Sequence, residues 1–323
     1  MQSKYLDGFY RGEILAAARL MSIVETGGPE AEAVLDTLYA KVGRSYRIGM
    51  TGLTGSGKST LVNQLTRRFR QRGATVGVIA EDPTSPFTGG AILGDRVRMT
   101  DASGDEGVFI RSIASRGSET GLSASATELA DVLDAFGRDV IFLETIGIGQ
   151  LEYRVRFSGH TTAVVLTPDA GDDVQSMKSG LMEVGDIFVV NKADRKHSGR
   201  YAGDLRSIIE LTSSERDWLP PVVATVATKD EGIDELLAAV DRHRAFLEEG
   251  NRMAERRIES LRNRITMVVE DKLKTLFWQN GGRMETLDKI VGEVASGKKS
   301  PYRAAHELIA KERLSNAAKG ESP

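Results

Sequence analysis

Residues 52–59 read Gly-Leu-Thr-Gly-Ser-Gly-Lys-Ser, a glycine-rich segment that ends in a lysine and a serine. Glycines in such a run let successive backbone N–H groups turn toward phosphate oxygens, and the start of a helix adds its positive end. Lys58 would reach the β- and γ-phosphates, and the hydroxyl of Ser59 would ligate Mg²⁺, a hard cation that prefers oxygen. The segment predicts a Walker A loop whose nucleotide contacts come from Gly55, Ser56, Gly57, Lys58, Ser59 and Thr60.

A second motif, Asn191-Lys192-Ala193-Asp194, closes an apolar run at residues 187–190. A carboxylate at Asp194 can accept hydrogen bonds from both the guanine N1–H and the guanine amino group, whereas adenine has no matching pair of donors. The alternative is a polar turn after a strand, because Asn and Asp are common turn residues. Together with the Walker A loop, the motif predicts a site for GTP or GDP.

Two carboxylates follow other apolar runs and could serve the metal and the attacking water. Residues 140–143 lead into Glu144, and Gly147 three positions later could offer its N–H to the γ-phosphate. Asp82 follows the run at residues 75–80 and could position the water or a metal-bound water. The alternative for Asp82 is an Asp-Pro turn.

The composition is that of an ordinary globular protein and excludes several classes of site. The chain has 323 residues, of which 40% are hydrophobic and 28% charged, and its formal net charge of −3 does not favour nucleic-acid binding. The absence of cysteine excludes disulfides, zinc–thiolate sites and thiol catalysis. No apolar stretch of membrane-spanning length and no signal-peptide pattern is seen, so we expect a cytoplasmic protein that is not bound to a membrane.

The elements that must position these residues alternate between short apolar runs and helical patterns from residue 46 to about residue 247. Such alternation predicts an α/β fold with a mostly parallel sheet and helices on both faces. We expect three parts: an N-terminal helical extension (1–45), a GTP-binding G domain (46–249) and a C-terminal helical arm (250–323).

Within the C-terminal part, apolar residues fall along one face of a long helical segment, residues 251–278, amid many Arg and Glu. Such a stripe needs a partner surface. It could pack back on its own G domain, or it could form an intermolecular arm. Gly281 and Gly282 should break this helix, and Ser300-Pro301 is typical of a later helix start.

Longer motifs carry a family resemblance. Residues 81–96 read Glu-Asp-Pro-Thr-Ser-Pro-Phe-Thr-Gly-Gly-Ala-Ile-Leu-Gly-Asp-Arg, and residues 144–150 read Glu-Thr-Ile-Gly-Ile-Gly-Gln. With the motif at 191–194, they resemble the MeaB/ArgK-type P-loop GTPases, which are G-protein chaperones of adenosylcobalamin-dependent methylmalonyl-CoA mutase and related acyl-CoA mutases. The resemblance covers nearly the whole chain.

The resemblance implies further roles by position. Asp82 and Asp95 match acidic residues near Mg²⁺, which Ser59 and Glu144 would also help to hold. Residues 169–178 match the family's third switch loop, which contacts the mutase. Lys178, at the end of this segment, matches the lysine that supports mutase-stimulated GTP hydrolysis. It therefore joins Lys58, Asp82 and Glu144 as a catalytic candidate. Val226 and Ala227 match the loop that backs the guanine, and the helical tail matches a homodimerisation arm.

Three positions depart from the family pattern. The third switch opens Pro168-Asp169 instead of Pro-Gly, Leu151 follows Gln150 where serine is common, and Val226 replaces the serine of the guanine loop. None removes a phosphate or metal ligand, but they leave open which mutase is the client. Two rival functions are a kinase of transport-system binding proteins and a metallochaperone GTPase. The second usually needs His- or Cys-rich motifs, which are missing here.

Overall fold

The computed structural model describes residues 2–82, 104–114, 124–147, 153–168, 182–212, 217–279 and 283–318. The chain divides into two compact units, residues 1–260 and 261–323. The first holds a sheet and the candidate site, and the second is helical. The three-part division expected from the sequence stays a prediction.

The sheet of the first unit has seven strands, and every strand pair is parallel. The order across the sheet is β3-β2-β4-β1-β5-β6-β7. The predicted α/β fold is thus confirmed, because each apolar run expected to be a strand is one. The strands are β1 (Tyr46–Gly52), β2 (Val76–Asp82), β3 (Val108–Ala114), β4 (Val140–Glu144), β5 (Thr161–Leu166), β6 (Ile187–Asn191) and β7 (Val222–Thr225).

Helices cover both faces of the sheet, as parallel strands buried on two sides require. Apolar side chains of α4 (Lys58–Gln71) and α8 (Ile233–Glu248) pack on one face. The opposite face is covered by two clusters, one around α2 (Ile14–Thr26), α3 (Pro29–Leu38) and α5 (Ala124–Ala135), and one around α7 (Ser198–Thr212). Further α-helices of this unit are α1 (Gln2–Tyr10), α6 (Tyr153–Ser158) and a single turn at Met182–Val184.

A long helix, α9 (Arg252–Gln279), begins in the first unit and continues into the second. The second unit adds α10 (Arg283–Ala295) and α11 (Pro301–Ala318), which pack through Ile290, Ala304 and Leu308. The predicted helix start at Ser300-Pro301 is confirmed, since the Arg303 N–H donates to Ser300 Oγ at 3.3 Å. Among the described residues, no helix is both long and apolar enough to span a membrane.

Strand order decides which residues share the site. Because β1 lies between β4 and β5, and β2 lies beyond β4, the carboxyl ends of β1, β2 and β4 are neighbours at one edge of the sheet. The end of β6 lies on the other side of β5. Ligands of open parallel sheets bind outside this edge, where the strand order reverses.

Candidate nucleotide-binding site

One cavity of about 530 Å³ lies at the carboxyl edge of the sheet. Its walls come from the loop after β1, the ends of β2 and β4, and the segments that follow β6 and β7. The lining residues are Thr54, Gly55, Gly57, Lys58, Ser59, Thr60, Glu81, Asp82, Glu144, Thr145, Ile146, Asn191, Lys192, Asp194, Val226, Ala227 and Thr228. Residues from the two sequence motifs and both carboxylate positions thus surround a single space.

The loop between β1 and α4 needs glycine at two positions for reasons of space. Gly52 has a φ of +129°, and a Cβ there would lie 2.0 Å from the carbonyl oxygen of Val165. Gly57 has a φ of +97°, and a Cβ there would lie 2.2 Å from Asn191 Nδ2. Any side chain at either position would therefore displace the backbone of β5 or the residue that opens the second motif.

Lys58 is buried at the first turn of α4 and points back into its own loop. Its Nζ donates to the carbonyl oxygen of Gly52 at 2.7 Å and to that of Leu53 at 3.0 Å. Gly147 lies close to this amine, since a Cβ on it would fall 2.6 Å from Lys58 Nζ. The only formal positive charge that the loop carries is thus held over its centre, where phosphate oxygens would enter.

Buried carboxylates stand at the strand ends beside this lysine. The hydroxyl of Ser59 donates to Glu144 Oε1 at 2.6 Å. Glu144 is 4% exposed, and Asp82, at the end of β2, is 6% exposed. Glu81 also lines the cavity at 3% exposure; no role was predicted for it, although its place next to Asp82 at a strand end was a usable signal.

This donor set suits a magnesium ion that is held mainly by a nucleotide. Hydroxyl and carboxylate oxygens are hard ligands, and Mg²⁺ usually takes only one or two of them from protein, with phosphate and water completing its shell. In keeping with that, no group of three or more His, Cys, Asp or Glu within the described ranges could hold a metal ion unaided.

Asn191 joins the two motifs. Its Nδ2 donates to the carbonyl oxygen of Ser56 at 2.8 Å, and its Oδ1 accepts from Thr225 Oγ1 and from the N–H of Ala227, both at 3.1 Å. The amide is 3% exposed. Asn191 therefore holds the phosphate loop and the loop after β7 at a set distance.

Lys192 reinforces that link, since its Nζ donates to the carbonyl oxygen of Gly55 at 2.8 Å. Its backbone takes a left-handed φ of +57°, a conformation that is uncommon outside glycine, and Asp194, two residues later, lies on the cavity wall. Asp194 Oδ2 lies 3.1 Å from Lys229 Nζ.

Thr54 is a further residue of the site for which no role was predicted. Its hydroxyl donates to the carbonyl oxygen of Ile146 at 3.1 Å and lies 3.3 Å from that of Gly147. The phosphate loop therefore contacts the segment after β4 directly. Ser56 and Gly147 themselves are not among the residues that line the cavity.

Several predicted residues lie outside the described residues. They are Asp95 and the rest of the motif at 83–96, Gln150, Pro168's neighbour Asp169, and Lys178. Their proposed parts in metal binding, switching and partner contact stay predictions. So do the nucleotide contacts of the residues that the structure does bring together.

Comparison with known proteins identifies the family. The profile described as methylmalonyl-CoA mutase-associated GTPase MeaB matches residues 17–282. A candidate GTPase from Pyrococcus abyssi is 42% identical over 315 residues, which is 97% of either chain. GTPase ArgK of Escherichia coli is 37% identical over 238 residues, covering 71% of this chain and 72% of its own.

Among solved structures, one titled LAO/AO transport system kinase superposes with a TM-score of 0.74 at 25% identity, and the match covers 97% of both chains. The likeness thus extends through the helical parts as well as the sheet. With a family profile that spans most of the chain and relatives above 30% identity, the chain belongs to the MeaB family of P-loop GTPases.

Proposed function

We propose that this protein binds GTP with Mg²⁺, hydrolyses the GTP, and uses its nucleotide state to gate cofactor loading and to protect an adenosylcobalamin-dependent acyl-CoA mutase. The client would be methylmalonyl-CoA mutase or a close relative. The observation that carries the proposal is the single cavity in which the glycine loop, Lys58, two strand-end carboxylates and Asp194 meet. The family description, which names both a GTPase and a mutase, supports the choice of client.

In this proposal the loop and α4 bind the triphosphate. The backbone N–H groups of residues 55–60 would face phosphate oxygens at the positive end of α4. Lys58 would exchange its two carbonyl acceptors for the β- and γ-phosphates, which gain more from a full positive charge than neutral carbonyls do. Gly147, beside the amine, would offer its N–H to the γ-phosphate.

The metal would be held by Ser59, Asp82 and Glu144, with Asp95 as the family's fourth candidate. When bound, Mg²⁺ neutralises charge that builds on the transferring phosphoryl group. The hydrogen bond between Ser59 and Glu144 sets the hydroxyl and the carboxylate next to each other. Little rearrangement would then be required of these two side chains.

Hydrolysis in such sites depends on positioning and charge stabilisation more than on covalent chemistry. Asp82 stands at the end of β2 on the wall of the cavity, where a carboxylate could orient a water toward the γ-phosphate. Lys58 would stabilise the developing charge on the oxygens. Lys178 would act only on the complex with the mutase.

Homodimerisation through the C-terminal helices belongs to the same proposal. Six apolar side chains of α9 are each 41–64% exposed, namely Ile258, Ile265, Val268, Val269, Leu273 and Leu276. An apolar stripe of this length on a monomer marks an interaction surface. A second copy would cover it, and sedimentation at increasing concentration should show a dimer; replacing Ile265 and Leu273 with glutamate should give a monomer.

A kinase is the second candidate, because the matched solved structure is described as a transport system kinase. The two activities differ in where the γ-phosphoryl group goes. With γ-labelled GTP, a GTPase releases the label as inorganic phosphate, whereas a kinase leaves it on a protein side chain. If the label stays on the protein after denaturation, the reaction is phosphotransfer to a side chain and the proposal of GTP hydrolysis is wrong.

The test of the proposal combines hydrolysis with capture of the mutase. The full chain is mixed with purified methylmalonyl-CoA mutase in GDP or in a non-hydrolysable GTP analogue, and phosphate release is measured alone and with mutase. We expect slow release alone, faster release with mutase, and capture that depends on the nucleotide. Lys58→Ala should lose all three, while Lys196→Ala, an exposed lysine, should lose none. Nucleotide-independent capture together with unstimulated hydrolysis would refute the chaperone role.

A further inference from the structure

The loop after β7 is a compact unit that places one charged side chain against Asp194. A short 3₁₀ turn covers Ala227–Lys229, and the backbone of Val226 pairs with that of Glu231 in both directions, at 3.0 and 3.3 Å. Asp230 turns the chain with a left-handed φ of +62°. The closed loop points Lys229 toward the motif after β6, where its Nζ lies 3.1 Å from Asp194 Oδ2.

The loop is also tied to the helix that begins at the phosphate-binding end. Gln64 Nε2, on α4, donates to the carbonyl oxygen of Ala227 at 3.1 Å. One turn later, Arg68 donates to Asp230 at 2.7 Å and to Asp234 at 2.8 Å. These contacts hold the backbone of the loop in place on both sides of Lys229. The Lys229 ammonium can therefore contact Asp194 without the entropic cost of ordering the loop.

Asp194 needs such a partner if it is to read guanine. A carboxylate that accepts from both N1–H and the 2-amino group must hold its two oxygens in the plane of the base. The side chain of Asp194 is 41% exposed, so contact with solvent does not fix its orientation. Val226, at the start of the loop, has no polar side-chain atom that could orient it. Within the part of the chain that the structure describes, Lys229 places a charged group against this carboxylate.

We propose that Lys229 is a positioning residue for guanine recognition, which orients the Asp194 carboxylate toward the N1–H and 2-amino group of the base. The inference rests on the proposed function, since it assumes that Asp194 reads the base. Its consequence is selective: Lys229 should matter for the 2-amino group more than for the phosphates or for O6, which the N–H of Ala227 would meet.

The test compares GDP with IDP, whose base keeps N1–H and O6 but lacks the 2-amino group. Binding of both is measured by calorimetry for the full chain and for Lys229→Met, which keeps the apolar stem and removes the charge. Loss of a charge-assisted orientation should lower GDP affinity about tenfold and IDP affinity much less, so that the GDP-to-IDP preference falls. Lys229→Arg should restore most of the preference, and Lys196→Ala should not change it.

Added salt gives a second readout. If the exposed ion pair sets the preference, rising ionic strength should reduce the GDP-to-IDP ratio of the native chain and leave that of Lys229→Met unchanged. In an Asp194→Asn background, Lys229→Met should have no further effect, because the amide carries no charge to orient.

Three results would overturn the inference. Unchanged affinities for both GDP and IDP would make Lys229 a surface ion pair only, and an equal fall in both affinities would make it a support for the loop. A rise in GDP affinity would mean that the lysine competes with the base. A wrong base pocket is detected separately, because Asp194→Asn would then leave the preference for guanine over xanthine nucleotides unchanged whatever Lys229 does.

Discussion

The carboxyl edge of the sheet, where the parallel strands end, and the amino edge, where they begin, differ in what surrounds their charged residues. At the carboxyl edge, Lys58, Asp82 and Glu144 line an open cavity. At the amino edge, charged side chains are enclosed by protein partners. Arg47, at the start of β1, donates to Asp131 at 2.8 Å and to Asp134 at 2.9 Å, and all three are buried.

The second amino-edge cluster centres on Asp186, just before β6. Its carboxylate accepts from both Nη atoms of Arg256, at 3.0 and 2.6 Å, and from the N–H of Thr162 at 2.7 Å. His243 Nε2 lies 3.5 Å away, and its Nδ1 is 2.8 Å from Thr161 Oγ1. These contacts fasten the first turns of α9 to the sheet. The amino edge thus serves stability, and the carboxyl edge is arranged for a ligand.

The largest effect should come from Lys58→Ala, which acts at the ligand edge alone. Loss of the charge from the phosphate site should weaken GTP binding about 1,000-fold, or roughly 4 kcal/mol. The unfolding temperature without nucleotide should change little, because the carbonyl oxygens of Gly52 and Leu53, which accept from Lys58, are neutral and would not be left as buried unpaired charges. Calorimetry and thermal unfolding measure the two; a variant with native affinity would remove the phosphate-loop argument.

Asp186→Ala should show the reverse pattern. It leaves the Arg256 guanidinium buried without its carboxylate, which should cost about 3–5 kcal/mol of the free energy of unfolding. Nucleotide affinity of the folded protein should be retained, because the cavity lies at the other edge. Urea unfolding checks the first and nucleotide titration the second.

The matched control is Asp204→Ala, which removes an exposed pair with Arg200, 3.8 Å apart on α7. Such a pair is worth at most about 0.5 kcal/mol. Equal losses from the two variants would contradict the division between the edges.

Acid should weaken the amino edge first. Burial lowers the pKa of His243 from 6.5 to about 4 and that of His160 to about 3, with the nearby Arg256 and Arg47 acting in the same direction. Between the ordinary histidine pKa of 6.5 and these lowered values, the unfolded chain therefore binds more protons than the folded chain. Stability should be full above pH 6.5 and fall toward pH 4, with a slope of up to about 1.4 kcal/mol per pH unit for each histidine.

Thermal unfolding from pH 8 to pH 4.5 measures this loss. His243→Gln should have a smaller slope than the native chain, whereas His306→Gln, at an exposed position on α11, should keep the native slope. If His243→Gln lost stability with acid as steeply as the native chain, the burial of a neutral histidine would not be the cause.

Asp194→Asn should have the smallest effect on stability and a measurable one on base choice. The amide would donate where guanine donates and would match the extra oxygen of xanthine instead. Guanine affinity should fall roughly 30- to 100-fold, about 2–3 kcal/mol, with xanthine nucleotides now preferred. Competition between GDP and XDP measures it, and an unchanged order of affinities would misplace the base pocket.

Much of the fold and of the ligand edge could be predicted from the sequence. The five inner strands are buried along their whole length and are largely apolar, because strands buried on both faces have no polar alternation, whereas the outer strands β3 and β7 are only partly buried. Glycine at 52 and 57 and lysine at 58 form a local motif whose geometry depends on backbone freedom over a few residues. By contrast, no role was predicted for Glu81, which lies beside Asp82 and lines the same cavity.

The amino-edge clusters could not be predicted in the same way. Arg47 and Asp131 are 84 positions apart, and Asp186 and Arg256 are 70 positions apart. In the sequence each of these is one charged residue among many, and exposed charged residues are the common case. Only the packing of α5 and α9 against the sheet shows that these particular charges are buried and paired.

The amino-acid sequence by itself determined the features that depend on residues near one another in the chain. These are the phosphate loop, the guanine-type motif, the α/β fold and the family. Tertiary structure decided which distant groups meet, because strand order places the ends of β1, β2 and β4 together. It gave Asn191 a linking role between two loops, set Lys229 against Asp194, and enclosed Asp186 with Arg256. Such contacts depend on the path of the whole chain, so no short segment specifies them.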